Sequence, residues 1–186
     1  MMKFLLLLGI INQIHNPMKY ICFSAILVLF TFQAYTQELN KKVLDEKTGT
    51  EIMIGYCDEP AFHVGEFGES YTKEFKAYQP ENNNMNQLKG KLDDITFTIV
   101  LGTWCDDTKE QLGRFTKLLY CLKYDMNRCT FIAVDRTKTA EKIAMEDLKI
   151  EKVPTFIVYR NAIEIGRIVE TPEASMDTDL VKILQK

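Results

Sequence analysis

Tryptophan and histidine are nearly absent from this chain: its 186 residues hold one Trp and two His. That scarcity removes most zinc ligand sets. Cys57 and His63 lie six residues apart, with no third or fourth ligand at metal spacing, so neither a metal nor any other cofactor is expected. Surplus positive charge is missing too. The 23 Lys and Arg against 26 Asp and Glu leave a net charge of −3, and no basic cluster suits nucleic acid. There is no Gly-x-Ser-x-Gly and no nucleotide fingerprint, and Gly65-Glu66-Phe67-Gly68 does not make a phosphate loop. Internal repeats and flexible linkers are lacking, and three consecutive asparagines, Asn82 to Asn84, are the only low-complexity stretch. What remains is a globular composition in a chain long enough for one domain with additions.

Acidic residues are missing from residues 1–36, which carry two lysines and two apolar runs. The second run, Ile21 to Phe32, follows Met18-Lys19-Tyr20 and ends ahead of Ala34-Tyr35-Thr36, the pattern of a secretory signal peptide. Its 12 residues fall short of the roughly 20 that span a bilayer. Met18 reads as the start of the signal, residues 1–17 as an upstream extension, and Cys22 lacks a lipoprotein context. The expected location is exported, periplasmic or extracellular, with membrane attachment only through an uncleaved signal segment. Cleavage would shift the net charge to −5 and leave Cys57, Cys105, Cys121 and Cys129 in an oxidising compartment. Three full pairings are open, and spacing does not choose among them. Cys121 and Cys129 either bridge or stay as buried free thiols.

Apolar periodicity divides the remainder. Ile52 to Cys57 is a short strand or an extended arm. Phe67, Tyr71, Phe75 and Tyr78 form an aromatic stripe on a helix that Pro80 ends, either core packing or a substrate platform. Met85, Leu88 and Leu92 suggest a short helix. Ile95 to Leu101 is a buried strand, and Leu112, Phe115, Leu118, Leu119 and Leu122 mark a helix over 105–122. Thr130 to Val134 is a strand, Thr139 caps a helix to Leu148, and Thr155 to Tyr159 and Ile163 to Val169 make a hairpin around Arg160-Asn161. Thr171-Pro172-Glu173 opens a last helix with Leu180, Val181 and Leu184 inward. From residue 94 to 186 the order is β-α-β-α-β-β-α, an α/β fold with a central mixed sheet and helices on both faces. Residues 37–93 read as an N-terminal helical extension packed on that domain.

The chemistry concentrates in Gly102-Thr103-Trp104-Cys105-Asp106-Asp107-Thr108. Cys105 sits where a strand hands over to a helix, whose N-terminus presents unpaired N–H groups and the positive end of the macrodipole. Both favour a thiolate and lower a thiol pKa from about 8.5 toward roughly 3.5–7.5. Asp106 and Asp107 favour the helix but oppose the thiolate.

Trp104-Cys105-x-x-Thr108 after an apolar strand resembles the active-site turn of the thioredoxin family, whose pattern is Trp-Cys-x-x-Cys. Val153-Pro154-Thr155, about fifty residues on, resembles that family's Pro loop. The resemblance covers about residues 94–186. It implies a thioredoxin-like fold whose third strand runs antiparallel beside the first, bringing Val153-Pro154 against Cys105. It also implies a cis bond at Pro154, Cys105 as nucleophile in thiol–disulfide exchange, Trp104 shielding the thiol and touching substrate, and Val153, held extended before Pro, offering its backbone. Three positions depart from the family. Thr108 replaces the second cysteine; its hydroxyl cannot resolve a mixed disulfide but can donate to the Cys105 sulfur. Ile99 stands where many members carry a buried acid, and Gly113 where they often have Pro, read as a tolerated bend.

The expected activity is therefore monothiol exchange with protein thiols or disulfides. Resolution would come from the substrate's own second thiol, a small thiol, a redox partner protein, or Cys57, Cys121 or Cys129. A non-catalytic client-binding module competes with this reading. So does a peroxidase-type thiol using Thr108 and Arg114.

Overall fold

Strict alternation in Ile95 to Leu101 determines which way the sheet faces. Ile95, Phe97, Ile99 and Leu101 point into one core and Val100 into another, as the two-residue period of a strand requires. In this computed structural model the described residues are 38–185; the signal segment and Cys22 lie outside them. The strands are β1 (Lys42–Leu44), β2 (Glu51–Met53), β3 (Gly55–Cys57), β4 (Ile95–Leu101), β5 (Cys129–Ala133), β6 (Thr155–Arg160) and β7 (Ile163–Val169). The helices are α1 (Gly65–Ala77), α2 (Asn82–Leu88), α3 (Asp106–Cys121) and α4 (Met176–Leu184).

Five strands form the central sheet in the order β3-β5-β4-β6-β7. The pair β4–β5 is parallel, joined through α3, and the pairs β4–β6, β6–β7 and β3–β5 are antiparallel. A separate hairpin pairs β1 with β2. The β4–α3–β5 unit followed by the β6–β7 hairpin and α4 gives a mixed sheet flanked by helices, a thioredoxin-like fold. Asn161 and Ala162 turn the β6–β7 hairpin with φ of 51° and 64°, the left-handed pair that suits the strand twist.

All four helices contribute to the core on one face of the sheet. Phe115 lies between Phe97 and Phe156, with ring centroids 5.2 and 4.7 Å away. Tyr71 of the aromatic stripe is fully buried, and its hydroxyl meets Glu59 and Thr116 at 2.7 and 2.8 Å. The stripe is therefore core packing. Gly113 is required by this packing: a Cβ there would lie 2.5 Å from the Tyr71 carbonyl oxygen of α1. It marks a close crossing of α1 and α3, where the sequence suggested only a tolerated bend.

The other face is covered differently. Ile54, Val100, Ile132, Val134 and Val153 pack with Ala140 and Met145, and Ile143, Leu148 and Ile150 lean on them. The expected helix over 139–148 does not form; only Glu146–Leu148 makes a 3-10 turn. The Asp135 carboxylate takes the Thr137 and Thr139 N–H groups at 2.9 and 3.0 Å, and Lys138, Lys142 and Lys149 have positive φ. These local bonds and left-handed residues stop a helix from propagating. Helices on both faces were expected; here a loop covers the second.

One boundary also moves. The last helix is capped by Ser175, whose Oγ accepts from the Thr178 N–H at 3.2 Å, not by Thr171. β3, from the N-terminal part of the described residues, is the edge strand of the central sheet.

Candidate active site

Cys105 occupies the N-cap of α3 with extended backbone (φ −94°, ψ 130°). An N-cap side chain commonly accepts from the first-turn N–H groups; this one makes no such bond. Its Sγ instead donates to the Val153 carbonyl at 3.2 Å. Cys105 is partly exposed, so the sulfur sits at the surface end of β4. The Val153–Pro154 bond is cis. Two hydrogen bonds fix that loop: Thr155 Oγ1 donates to the Lys152 carbonyl, and the Glu170 N–H to the Pro154 carbonyl, both at 2.7 Å. Antiparallel β4–β6 pairing, with Val100 opposite Thr155, brings the two motifs together.

Trp104 is held on several sides. Its Nε1 donates to the Val134 carbonyl at 2.9 Å. The indole lies so close on Gly102 that a Cβ there would stand 2.7 Å from the ring. The Arg136 guanidinium carbon is 4.8 Å from the ring centroid. Arg136 in turn forks onto Asp45, with Nε 3.0 Å from both carboxylate oxygens and Nη2 2.7 Å from Oδ2. These bonds, with one from the Thr48 hydroxyl, hold the Asp45 carboxyl well below the usual carboxylate range. Neither Asp45 nor Arg136 stood out in the sequence. An arginine just past a strand that ends beside Cys105 is a faint signal for one; the other lies 91 residues away.

Thr108 is fully buried and its Oγ1 accepts from the Gly102 N–H at 3.4 Å. Among the described residues no hydrogen bond joins it to the Cys105 sulfur, contrary to expectation; the buried hydroxyl is directed back at the β4–α3 turn. Ile99 is fully buried in the helical core and offers no proton. Asp106 is almost fully exposed and pairs with Lys109 at 3.2 Å.

Among the described residues the remaining cysteines, Cys57, Cys121 and Cys129, are free. Cys57 and Cys129 are pushed up to about 12 by burial, so neither is a ready resolving thiol. Cys121 is exposed, where a bridge to Cys129 or a buried thiol was expected. It ends α3, about 24 Å along the axis from Cys105 at 1.5 Å per residue. Arg114 is paired with Glu74 and Glu110 at 2.8 and 2.7 Å, so it does not join Thr108 in a peroxide-activating pair. Among the described residues no group of three or more His, Cys, Asp or Glu could hold a metal ion.

No family model matches this chain, and no curated protein sequence does. A crystal structure of a protein of unknown function, PA1234 from Pseudomonas aeruginosa, is similar at TM-score 0.55 and 15% identity, covering 71% of this chain and 93% of its own. An HIV epitope scaffold gives the same values. Mitochondrial thioredoxin 3 from Saccharomyces cerevisiae reaches TM-score 0.35 at 18% identity, covering 60% of this chain and 97% of its own. The likeness to the first two extends to fold alone.

Proposed function

We propose that this chain is an exported thiol–disulfide exchange protein with a monothiol site in which Cys105 is the nucleophile. The observation that carries the reading is the Cys105 sulfur at a helix N-terminus, 3.2 Å from the carbonyl of the cis-Pro loop. The Cys105 thiolate attacks one sulfur of a substrate disulfide. The substrate S–S bond breaks, a Cys105–substrate S–S bond forms, and the released sulfur leaves as thiolate and takes a proton. Once the sulfur is ionised it no longer donates to Val153, whose carbonyl is then free for the backbone of an extended substrate. Trp104 flanks the thiol on the sheet side.

With Thr108 buried in place of a second thiol, the mixed disulfide is resolved by a thiol from outside the chain, either the substrate's own second cysteine or a small thiol. That thiolate attacks the Cys105–substrate bond and returns Cys105 as thiolate, so rearrangement of disulfides proceeds without net reduction. Export rests on the signal pattern of residues 18–36, which matches the oxidised substrates this chemistry needs.

The test is to recover disulfide-linked complexes of the full chain from its native compartment, in parallel with Cys105→Ala. Complexes released by reductant and absent from the variant are expected. Complexes that survive reductant and persist in Cys105→Ala contradict exchange and favour a client-binding module.

A further inference from the structure

One wall of a cleft at the active-site turn belongs to the N-terminal hairpin. The cleft encloses about 520 Å³ and runs between Thr50 and Met53 of the hairpin, Phe67 of α1, and Thr103, Trp104 and Arg136. The hairpin grips the active-site turn at two adjacent residues. The Met53 N–H donates to Thr103 Oγ1 at 3.1 Å, and Asp45 receives the Arg136 fork that stacks on Trp104. Asp45 is 4% exposed. Its carboxylate also orders the hairpin turn, accepting from Thr48 Oγ1 at 2.7 Å and the Lys47 N–H at 3.3 Å. One guanidinium thus touches a buried acid of the hairpin and the chain's single tryptophan, which directly precedes Cys105.

This arrangement does more than tether a loop. A planar guanidinium can satisfy a carboxylate edge-on while laying its face on an indole, which an ammonium cannot. With its N–H committed to Val134 and its face to Arg136, the indole has one pose.

We infer that Asp45 and Arg136 are positioning residues of the Cys105 site: the pair locks the ring of Trp104, the residue next to the nucleophile. For its consequence in turnover this rests on the exchange reading above; the arrangement itself does not. Two readouts on the full chain need no substrate: emission of Trp104, unambiguous in a chain with one Trp, and the alkylation rate of Cys105 at neutral pH, located by peptide mapping. Arg136→Gln is expected to shift the emission and, by freeing the ring next to the thiol, to change the alkylation rate several-fold. Arg136→Lys keeps the charge and loses the fork, so it moves both readouts as Arg136→Gln does. Asp45→Asn frees the guanidinium without removing it, and moves both readouts in the same direction but by less.

If Arg136→Gln fails to fold by circular dichroism, the other two variants still decide. An unchanged emission in all variants, or an alkylation rate that Arg136→Lys returns to the wild-type value, overturns the inference. A wild-type chain that exchanges disulfides while both readouts ignore position 136 also overturns it and leaves the exchange reading standing. Shifted readouts in a chain that never exchanges disulfides support the clamp and end the exchange reading instead.

Discussion

The two faces of the central sheet are built from different materials. One is sealed by four helices around Phe97, Phe115, Phe156 and Tyr71. The other is sealed by the irregular stretch 139–150, against which Trp104 and Cys105 pack from the side, half-buried. The difference teaches where this fold separates stability from chemistry. A helical core fixes the end of β4 and the direction of α3. The loop-covered face leaves the sulfur, the cis-Pro loop and the indole open to a partner.

Substitutions on each face sharpen that contrast. The largest effect is expected from Cys105→Ala, which removes the fast mixed disulfide with a small disulfide and leaves only the slower adduct at the exposed Cys121, located by peptide mapping, while the thermal midpoint stays where it was. Phe97→Ala on the other face does the reverse. Emptying a fully buried aromatic site costs about 3–5 kcal/mol, read from denaturant midpoints, and the fraction still folded alkylates at Cys105 at the wild-type rate. Loss of reactivity in that fraction would break the separation of the faces.

Thr108→Cys is expected to have an intermediate effect. It places a second thiol one helical turn from the sulfur and shortens the lifetime of a Cys105 adduct, measured by its decay after excess disulfide is removed. An adduct as long-lived as the wild type's would show that the buried 108 position cannot reach Cys105.

The smallest effect belongs to the buried thiols. Cys57 and Cys129 are pushed up to about 12 by burial, from 9.0, so they stay protonated in the folded chain at mildly alkaline pH while Cys105 and Cys121 alkylate. Because their folded values are raised, the stability they contribute is complete below about 9 and is lost as pH climbs toward 12. A denaturation midpoint that falls over that window, and less steeply in Cys57→Ala, is the expected result.

Much of this was legible in the sequence. The alternation of residues 95–101, the helical stripe after Cys105 and the spacing to Val153-Pro154 placed the strand, the helix and the loop that meet at the sulfur. Those signals are local and periodic, and tertiary context reinforces them. Misread segments were those where side chains compete with the backbone. The Asp135 carboxylate captures two N–H groups that a helix would have used, and Thr108 turns its hydroxyl to Gly102. The Asp45–Arg136 contact joins positions 91 residues apart, and no spacing announces it. Gly113 looked like a weak point in a helix because the backbone of α1 that crosses it is a tertiary fact.

The most direct measurement is the site of adduct formation when the full, reduced chain meets an oxidised small-thiol disulfide, followed by peptide mapping. The account predicts a mixed disulfide at Cys105 ahead of the more exposed Cys121. An adduct on Cys121 with Cys105 left free would contradict it.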